Sequence, residues 1–369
     1  VKRIAILGCT GSIGRQALDV IRTSDGFLGV HSLLCFGSLD RLLQQAREFG
    51  PEVSAVLMPT GREPDWVVTG RDALRAAVEG ADLVLNAIAG SAGLEASLLC
   101  QELDLPLALA NKESLVVGGE LLKDHLSRGM VIPVDSEHST LHRCISGERV
   151  RPLSIILTAS GGALRDLPLD LASAATADAV LKHPTWSMGP RITVDSATLV
   201  NKAFEVIEAG WLFEGLEVDA VIHPQSIVHS LLRLADGAYK ALLGTPDMRI
   251  PIQYALLGED APPGFSSEDS PLDWPSLTFG QVDPDRYPAF RRVCEAGRRG
   301  NGLPSAANGA DEIAVQAFLD GQISFGTIPV LIERVLDGFR EREISEPGDV
   351  FEADVEARIL ALALLEGLS

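Results

Sequence analysis

Val131-Ile132-Pro133-Val134 is an apolar run that ends in Asp135-Ser136-Glu137. If the extended backbone continues, alternation puts Asp135 and Glu137 on one side. Two carboxylates facing together repel unless a proton or a cation intervenes. Oxygen ligands suit a hard cation such as Mg²⁺ or Mn²⁺; an ordinary polar turn reads the same tripeptide equally well. His138 and His142 follow at i, i+4, but the order Glu-His-x-x-x-His leaves no glutamate between them to serve as a zinc-peptidase base. Further on, Ser160-Gly161-Gly162 is a small-residue turn able to offer N–H groups and a hydroxyl to a phosphate. Ser196 comes just before a helical pattern carrying Asn201, Lys202, Glu205 and Glu208. Asn201 and Glu205 are i, i+4, Lys202 and Glu205 are i, i+3, so all three share a face. A solvated Lys–Glu pair is the plain alternative, and it leaves Asn201 and Ser196 unexplained. Between these segments lies His183-Pro184-Thr185-Trp186-Ser187-Met188-Gly189. A tryptophan and a methionine in a Pro/Gly-bounded loop suit a lid that closes over a ligand, or else a loop packed permanently on the core.

A second chemistry sits at the start of the chain. Gly8-Cys9-Thr10-Gly11-Ser12-Ile13-Gly14 falls between an apolar run and a helical pattern. There glycines let backbone approach a pyrophosphate, and the helix start supplies N–H donors and positive dipole. The spacing is G-x-x-G-x-x-G, and a tight strand–helix turn without a ligand is the competing reading. At the end of the next apolar run, where an acidic residue usually meets a free ribose 2′-OH, stands Phe36-Gly37-Ser38-Leu39, followed by Asp40 and Arg41. A serine with a nearby arginine favours a 2′-phosphate and hence NADPH, with Asp40 weighing against it. Asn86–Gly90 and Ala110-Asn111-Lys112-Glu113 each follow a strand-like run, where cofactors lie in such sheets; capped turns and a solvated Lys112 are the alternatives.

The elements that must position these residues follow from periodicity. Arg3–Leu7, Val30–Phe36, Val53–Met58, Leu83–Ile88 and Leu105–Leu109 read as strands, with helices over Ile13–Ile21 and Arg41–Phe49. Strand–helix alternation predicts an α/β, doubly wound parallel sheet. From about Ile155 the pattern changes to an α+β region with a mixed sheet: Ile155–Thr158, Val218–His223, Ile227–Leu234 and Tyr239–Leu243, with a hairpin turn at Ala235-Asp236-Gly237. Gly258–Pro275 reads as a loop. After Tyr287 the spacing is helical almost to Leu368, predicting a C-terminal helical bundle. The expected division is a dinucleotide-binding domain over 1–134, a catalytic domain over 135–258, a linker over 259–286 and a helical domain over 287–369.

Composition narrows the class. The 369 residues exceed one ordinary core. With 46% hydrophobic and 22% charged residues the chain is globular in balance. A net charge of −20 disfavours nucleic acid and anionic membrane as partners. Five scattered cysteines, none spaced C-x-x-C, fit a reducing cytosol. The apolar run after Lys2-Arg3 stops at Gly8, too short for a signal-peptide core, and no stretch approaches the roughly 18 apolar residues of a membrane helix. A soluble, cytoplasmic protein is expected.

Taken in order, the motifs resemble the 1-deoxy-D-xylulose 5-phosphate reductoisomerase family over essentially the whole chain. The match rests on residues 8–14, Ala-Asn-Lys-Glu-Ser at 110–114, Pro-Val-Asp-Ser-Glu-His at 133–138, His-Pro-Thr-Trp-Ser-Met-Gly at 183–189 and Val-Asp-Ser-Ala-Thr at 194–198. Asn-Lys-Ala-Phe-Glu at 201–205, His-Pro-Gln-Ser at 223–226, Pro-Asp-Met-Arg at 246–249 and Ala-Ala-Asn-Gly-Ala-Asp-Glu at 306–312 complete it. The resemblance implies a homodimer that rearranges 1-deoxy-D-xylulose 5-phosphate and reduces the product with NADPH to 2-C-methyl-D-erythritol 4-phosphate, for isoprenoid synthesis. It implies Asp135, Glu137 and Glu205 as ligands of Mg²⁺, Mn²⁺ or Co²⁺, and Ser160, Ser196, Asn201 and Lys202 as holders of the substrate phosphate. Ser136, Lys112 and His183 would meet the substrate backbone, with Trp186 and Met188 on the lid and Lys112, Glu137 and His183 in catalytic roles. Thr10, Gly11, Ser12, Ile13, Gly37, Ser38, Leu39, Asn111 and Gly189 match cofactor positions. Leu39 stands where the family usually has asparagine; it cannot donate to a 2′-phosphate, which leaves Ser38 or Arg41 to do so. Two other classes fit fewer residues: an NADP-linked dehydrogenase needing no carboxylate trio, and a nucleotide-sensing protein needing neither Glu137 nor Lys202.

Overall fold

The computed structural model describes residues 1–182, 186, 188–258 and 270–367. Their contacts divide the chain into two compact units. The first is built from Val1–Ser114 and Leu122–Arg143, with the described part of Asp247–Pro271. The second comprises Leu115–Leu121 and the described parts of Cys144–Pro246 and Leu272–Ser369.

The first unit carries a seven-stranded sheet: β1 (Lys2–Leu7), β2 (Leu28–Cys35), β3 (Val53–Val56), β4 (Val67–Thr69), β5 (Leu83–Asn86), β6 (Leu107–Leu109) and β7 (Val131–Pro133). Every pairing is parallel, and the spatial order is β4-β3-β2-β1-β5-β6-β7. This is the doubly wound sheet expected from the alternation. The order reverses between β1 and β5, and in open α/β sheets ligands bind outside the carboxyl ends of the strands at such a switch point. Ile4, Ile6, Leu33 and Leu85 fill one face, and Ile252 and Leu256 of the helix Arg249–Leu257 pack into the same cluster. The strand β4 has no counterpart in the sequence reading, because three residues in a polar, Gly/Pro-rich stretch carry no periodicity.

The second unit holds a mixed sheet of β8 (Pro152–Ala159), β9 (Glu217–Ile222), β10 (Ser230–Leu234), β11 (Tyr239–Lys240) and β12 (Gly280–Gln281), in the order β11-β10-β8-β9-β12. β8 and β9 run parallel, and the other pairings are antiparallel. The predicted hairpin closes through Leu234 N–H to Ala238 O at 2.9 Å and Gly237 N–H to Leu234 O at 3.0 Å. β10 begins three residues later than the apolar run suggests. His223 Nε2 accepts the N–H groups of Ile227 (3.2 Å) and Val228 (3.1 Å), taking both out of a regular ladder. Four helices close the chain: Pro288–Arg299, Leu303–Leu319, Thr327–Gly338 and Pro347–Leu365. The second and fourth cross closely because small residues meet there: a Cβ on Gly309 would stand 3.2 Å from Asp354 O and 3.4 Å from Ala357 Cβ. Among the described residues no helix is long and apolar enough to cross a membrane. Part of the expected linker, 259–269, lies outside the described residues.

Candidate active site

The glycine-rich loop leaves β1 at Gly8, whose φ is +83°. A side chain there would place Cβ 2.4 Å from Ala87 O, so only glycine lets the loop pass the end of β5. Gly14 is fixed by the same crowding: its Cβ would meet Gly8 O at 2.5 Å and Cys9 Cα at 2.6 Å. Gly11 is the N-cap of the helix Ser12–Arg22 and has no side chain with which to cap it. The first-turn N–H groups of Ser12, Ile13 and Gly14 therefore remain available to an anion at the positive end of the helix. Thr10 O accepts Arg41 Nη1 at 3.0 Å, which brings a guanidinium against the loop. At the end of β2, Gly37 and Ser38 lead into the helix Leu39–Phe49, with Ser38 exposed. Leu39 is 3% exposed and belongs to the core. Its side chain packs in the core and faces away from solvent.

Asn111 and Lys112 follow β6, and neither is solvated. The Asn111 amide donates to Gly90 O at 2.9 Å, while its oxygen accepts Ser114 N–H at 3.0 Å. It thus ties together the ends of β5 and β6. Lys112 is 8% exposed and ion-pairs with Asp135 Oδ2 at 2.6 Å. Asp135 and Glu137 do not continue strand β7, contrary to the alternation expected for them. β7 stops at Pro133, and Ser136 opens the helix Ser136–Ile145. Asp135 Oδ1 accepts the Ser136 N–H at 3.1 Å and Asp135 O accepts Ser139 N–H at 2.8 Å, which starts the first turn. Glu137 is thus a first-turn helix residue, and Ser136 Oγ donates to its Oε2 at 2.6 Å. His142 is bonded through Nδ1 to Tyr254 Oη at 2.9 Å, a structural use for that side chain.

In the second unit β8 delivers Ser160 at its carboxyl end. Gly161 and Gly162 follow at φ +82° and +70°. A Cβ on Gly162 would meet Ala197 Cα at 2.5 Å and Ser196 O at 2.8 Å. The Ser160 turn and the end of the helix Pro190–Thr198 are therefore in direct contact, which brings Ser160 and Ser196 to one place. Leu199, 1% exposed and at φ +60°, joins that helix to Val200–Leu212. A left-handed leucine costs on the order of 1 kcal/mol, and its burial offsets this. The corner sets Asn201 and Lys202 in the first turn beyond Ser196. Asn201 Nδ2 donates to Glu205 Oε1 at 2.6 Å, and Lys202 Nζ bonds Glu205 Oε2, so the shared helical face expected from the spacing is formed. Lys202 and Glu205 are 3% and 2% exposed, which removes the solvated-pair alternative.

Trp186 and Met188 are half-buried, and the Trp186 ring lies 6.2 Å from that of His229, centroid to centroid. Gly189 is the N-cap of the Pro190 helix, its carbonyl accepting Thr193 N–H and Oγ1 at 3.1 and 2.8 Å. His183 lies outside the described residues. Several supporting residues carry no role in the sequence reading. His223, fully buried, donates from Nδ1 to Thr278 O at 2.8 Å and holds the turn before His229. Burial lowers its pKa, so it stays neutral, as two accepted N–H groups require. Arg191 Nη1 pairs with Glu312 at 2.6 Å and Nη2 with Asn308 at 2.8 Å, which gives the Ala306–Glu312 motif a structural use.

These motifs match known proteins along the chain. The 1-deoxy-D-xylulose 5-phosphate reductoisomerase profile matches residues 4–119, and the profiles for C-terminal domains of that enzyme match 131–213 and 243–360. The 1-deoxy-D-xylulose 5-phosphate reductoisomerase of Geobacillus kaustophilus is 44% identical, over 99% of this chain and 100% of its own. That of Thermomicrobium roseum is 45% identical, over 98% and 97%. A crystal structure of DOX-P reductoisomerase in complex with NADPH, fosmidomycin and magnesium superposes with a TM-score of 0.91 at 32% identity, covering 99% of this chain and 98% of that one. The Zymomonas mobilis enzyme in complex with NADPH gives 0.88 at 36% identity, with both chains fully covered. This chain therefore belongs to the 1-deoxy-D-xylulose 5-phosphate reductoisomerase family.

Proposed function

We propose that this chain converts 1-deoxy-D-xylulose 5-phosphate to 2-C-methyl-D-erythritol 4-phosphate with NADPH and a divalent cation, Mg²⁺, Mn²⁺ or Co²⁺, and that the residues gathered above carry the reaction. The observation that carries this reading is the meeting of the Ser160 turn, Ser196 and the Asn201–Lys202–Glu205 face, in a chain whose first unit bears an uncapped glycine-rich helix start. The donor chemistry suits the cation. Asp135, Glu137 and Glu205 offer oxygen ligands, and Lys112 and Lys202 place ammonium charge on two of these carboxylates where a cation would otherwise compensate them.

Asp135, Glu137 and Glu205 hold the cation. Ser160, Ser196, Asn201 and Lys202 hold the substrate phosphate, an anchor remote from the reacting carbons that fixes their position. Ser136 and Lys112 meet the substrate backbone, together with His183. Trp186 and Met188 cover the substrate and exclude water. Thr10, Gly11, Ser12, Ile13, Gly37, Asn111 and Gly189 contact NADPH, with Ser38 and Arg41 at the 2′-phosphate in place of a side chain from Leu39. When bound, the cation supplies Lewis acidity to the substrate carbonyl and adjacent hydroxyl, and NADPH supplies the hydride. The nucleotide domain spans 1–134, the catalytic domain 135–258 and the helical domain 287–369, in a cytoplasmic homodimer.

The test is NADPH oxidation at 340 nm with 1-deoxy-D-xylulose 5-phosphate, with Mg²⁺ and then with EDTA. Oxidation that needs the metal is expected, and Glu205→Gln should remove most turnover while leaving NADPH affinity near normal. Oxidation surviving chelation would favour a metal-free dehydrogenase.

A further inference from the structure

Two side chains with no role so far hold the Ser160–Gly162 turn from behind. Arg165 Nη1 donates to Ser160 O at 2.6 Å, and Tyr287 Oη donates to Gly161 O at 2.9 Å. A trans peptide points its N–H opposite its C=O. Fixing these two consecutive carbonyls therefore turns the N–H groups of Gly161 and Gly162 away from Arg165 and Tyr287. The Gly162 N–H reaches Ser160 Oγ at 3.2 Å, so the hydroxyl oxygen is oriented by its own turn. The space behind the turn is full. A Cβ on Gly161 would stand 2.8 Å from Arg165 Cδ and 3.0 Å from Tyr287 Oη. On the other side Gly162 abuts Ala197. Both clamps are themselves fixed. Tyr287 is 2% exposed, and burial pushes its phenol up to about 12, so it remains a donor at neutral pH. Arg165 is held by Asp166 through Nε at 3.0 Å and Nη2 at 2.6 Å.

We propose that Arg165 and Tyr287 are positioning residues that keep the Ser160–Gly162 turn in its phosphate-receiving conformation. This rests on Ser160 as a phosphate ligand, as read above. Without the clamp the Gly161 peptide is free to rotate, because both glycines tolerate either hand of backbone. The Gly162 N–H then no longer aims Ser160 Oγ, and phosphate loses an aligned hydroxyl while the reacting carbons keep their own contacts. One lost hydrogen bond to a charged group corresponds to a rise in KM of about tenfold or more.

The experiment uses the holoenzyme with Mg²⁺ and NADPH and compares Ser160→Ala, Tyr287→Phe, Arg165→Met and the double variant Ser160→Ala/Tyr287→Phe. Measured are KM and kcat for 1-deoxy-D-xylulose 5-phosphate, competitive inhibition by inorganic phosphate, and NADPH affinity from fluorescence. Tyr287→Phe is expected to raise KM and the phosphate inhibition constant about tenfold, with kcat and NADPH affinity little changed. The double variant should be no worse than Ser160→Ala, because both act through one turn. A change in melting temperature alone, or effects of the two substitutions that simply add, would overturn the clamp and leave the phosphate reading standing. A silent Ser160→Ala would overturn both. If Tyr287→Phe does not fold, Arg165→Met acts on the adjacent carbonyl and decides by the same criteria.

Discussion

Replacing Lys202 with methionine should turn the metal into a measurable part of this protein's stability. Lys202 and Glu205 are 3% and 2% exposed and ion-paired, with Asn201 donating to the same carboxylate at 2.6 Å. Methionine keeps much of the apolar stem and removes the charge, leaving a buried carboxylate without its ammonium. Breaking a buried pair in this way costs about 3–5 kcal/mol. For a unit of this size, about 2–4 °C per kcal/mol predicts a fall of roughly 6–20 °C in the melting temperature of the metal-free protein. A divalent cation bound at Glu205, as proposed above, would supply positive charge again, and at 100 times Kd it would stabilise by about 2.7 kcal/mol, roughly 5–11 °C on the same scale. In the wild type, ammonium and cation would then compete for one carboxylate, so the Mg²⁺ response should be smaller than in the variant. The assay is a pair of thermal melts, in EDTA and across a MgCl₂ titration. Equal Mg²⁺ responses in the two proteins, or equal melting temperatures without metal, would refute the reasoning.

Gly14→Ala forces Cβ to within 2.5 Å of Gly8 O and should weaken NADPH binding at least tenfold in a fluorescence titration, whereas Gly37→Ala, whose nearest neighbour is Met58 O at 3.7 Å, should leave it within about threefold. Arg191→Met removes one guanidinium from Asp311 and Glu312 of the Leu303–Leu319 helix, leaving Glu312 its pair with Arg358, and should cost about 1–3 kcal/mol in urea melts. Arg191→Lys should recover only part of this, since lysine cannot reproduce the fork to Glu312 and Asn308. His125, His142 and His223 all have pKa values held below the ordinary histidine value of about 6.5, chiefly by burial. The unfolded chain then takes up protons first. Their contribution is full above about pH 6.5 and is lost as pH falls below it, at no more than about 1.4 kcal/mol per pH unit each. Denaturant melts at pH 7.5, 6.5 and 5.5 should show that fall, and a flat profile would remove the assignment.

The fold was legible where periodicity was unbroken, and boundaries slipped where side chains captured backbone groups. The parallel sheet follows from alternating apolar runs, and its strands other than β4 lie where those runs lie. The run Ile227–Leu234 misleads because His223 takes two of its N–H groups. The tripeptide Asp135-Ser136-Glu137 misleads because an aspartate that accepts the next N–H starts a helix there instead of extending the strand. In both cases a polar side chain competes with the ladder at short range. Hydrophobic patterning does not register such competition.

The candidate site divides along a similar line. Asn201, Lys202 and Glu205 are readable because helical spacing alone makes them neighbours. Ser160 and Ser196 are 36 positions apart, and only the contact between Gly162 and Ala197 unites them. Tyr287 stands 126 residues from the carbonyl it holds, beyond the reach of any local pattern. The groups that would touch ligand are announced by motif, whereas the groups that aim them come from distant elements. Leu199 shows what that support sustains. A buried leucine held at φ +60° is locally unfavourable, and it persists because packing on both sides fixes the corner. That corner puts the end of one helix and the start of the next, with Ser196, Asn201 and Lys202, around the same space. Local preference yields there to placement, as expected where a site and not the core sets the backbone.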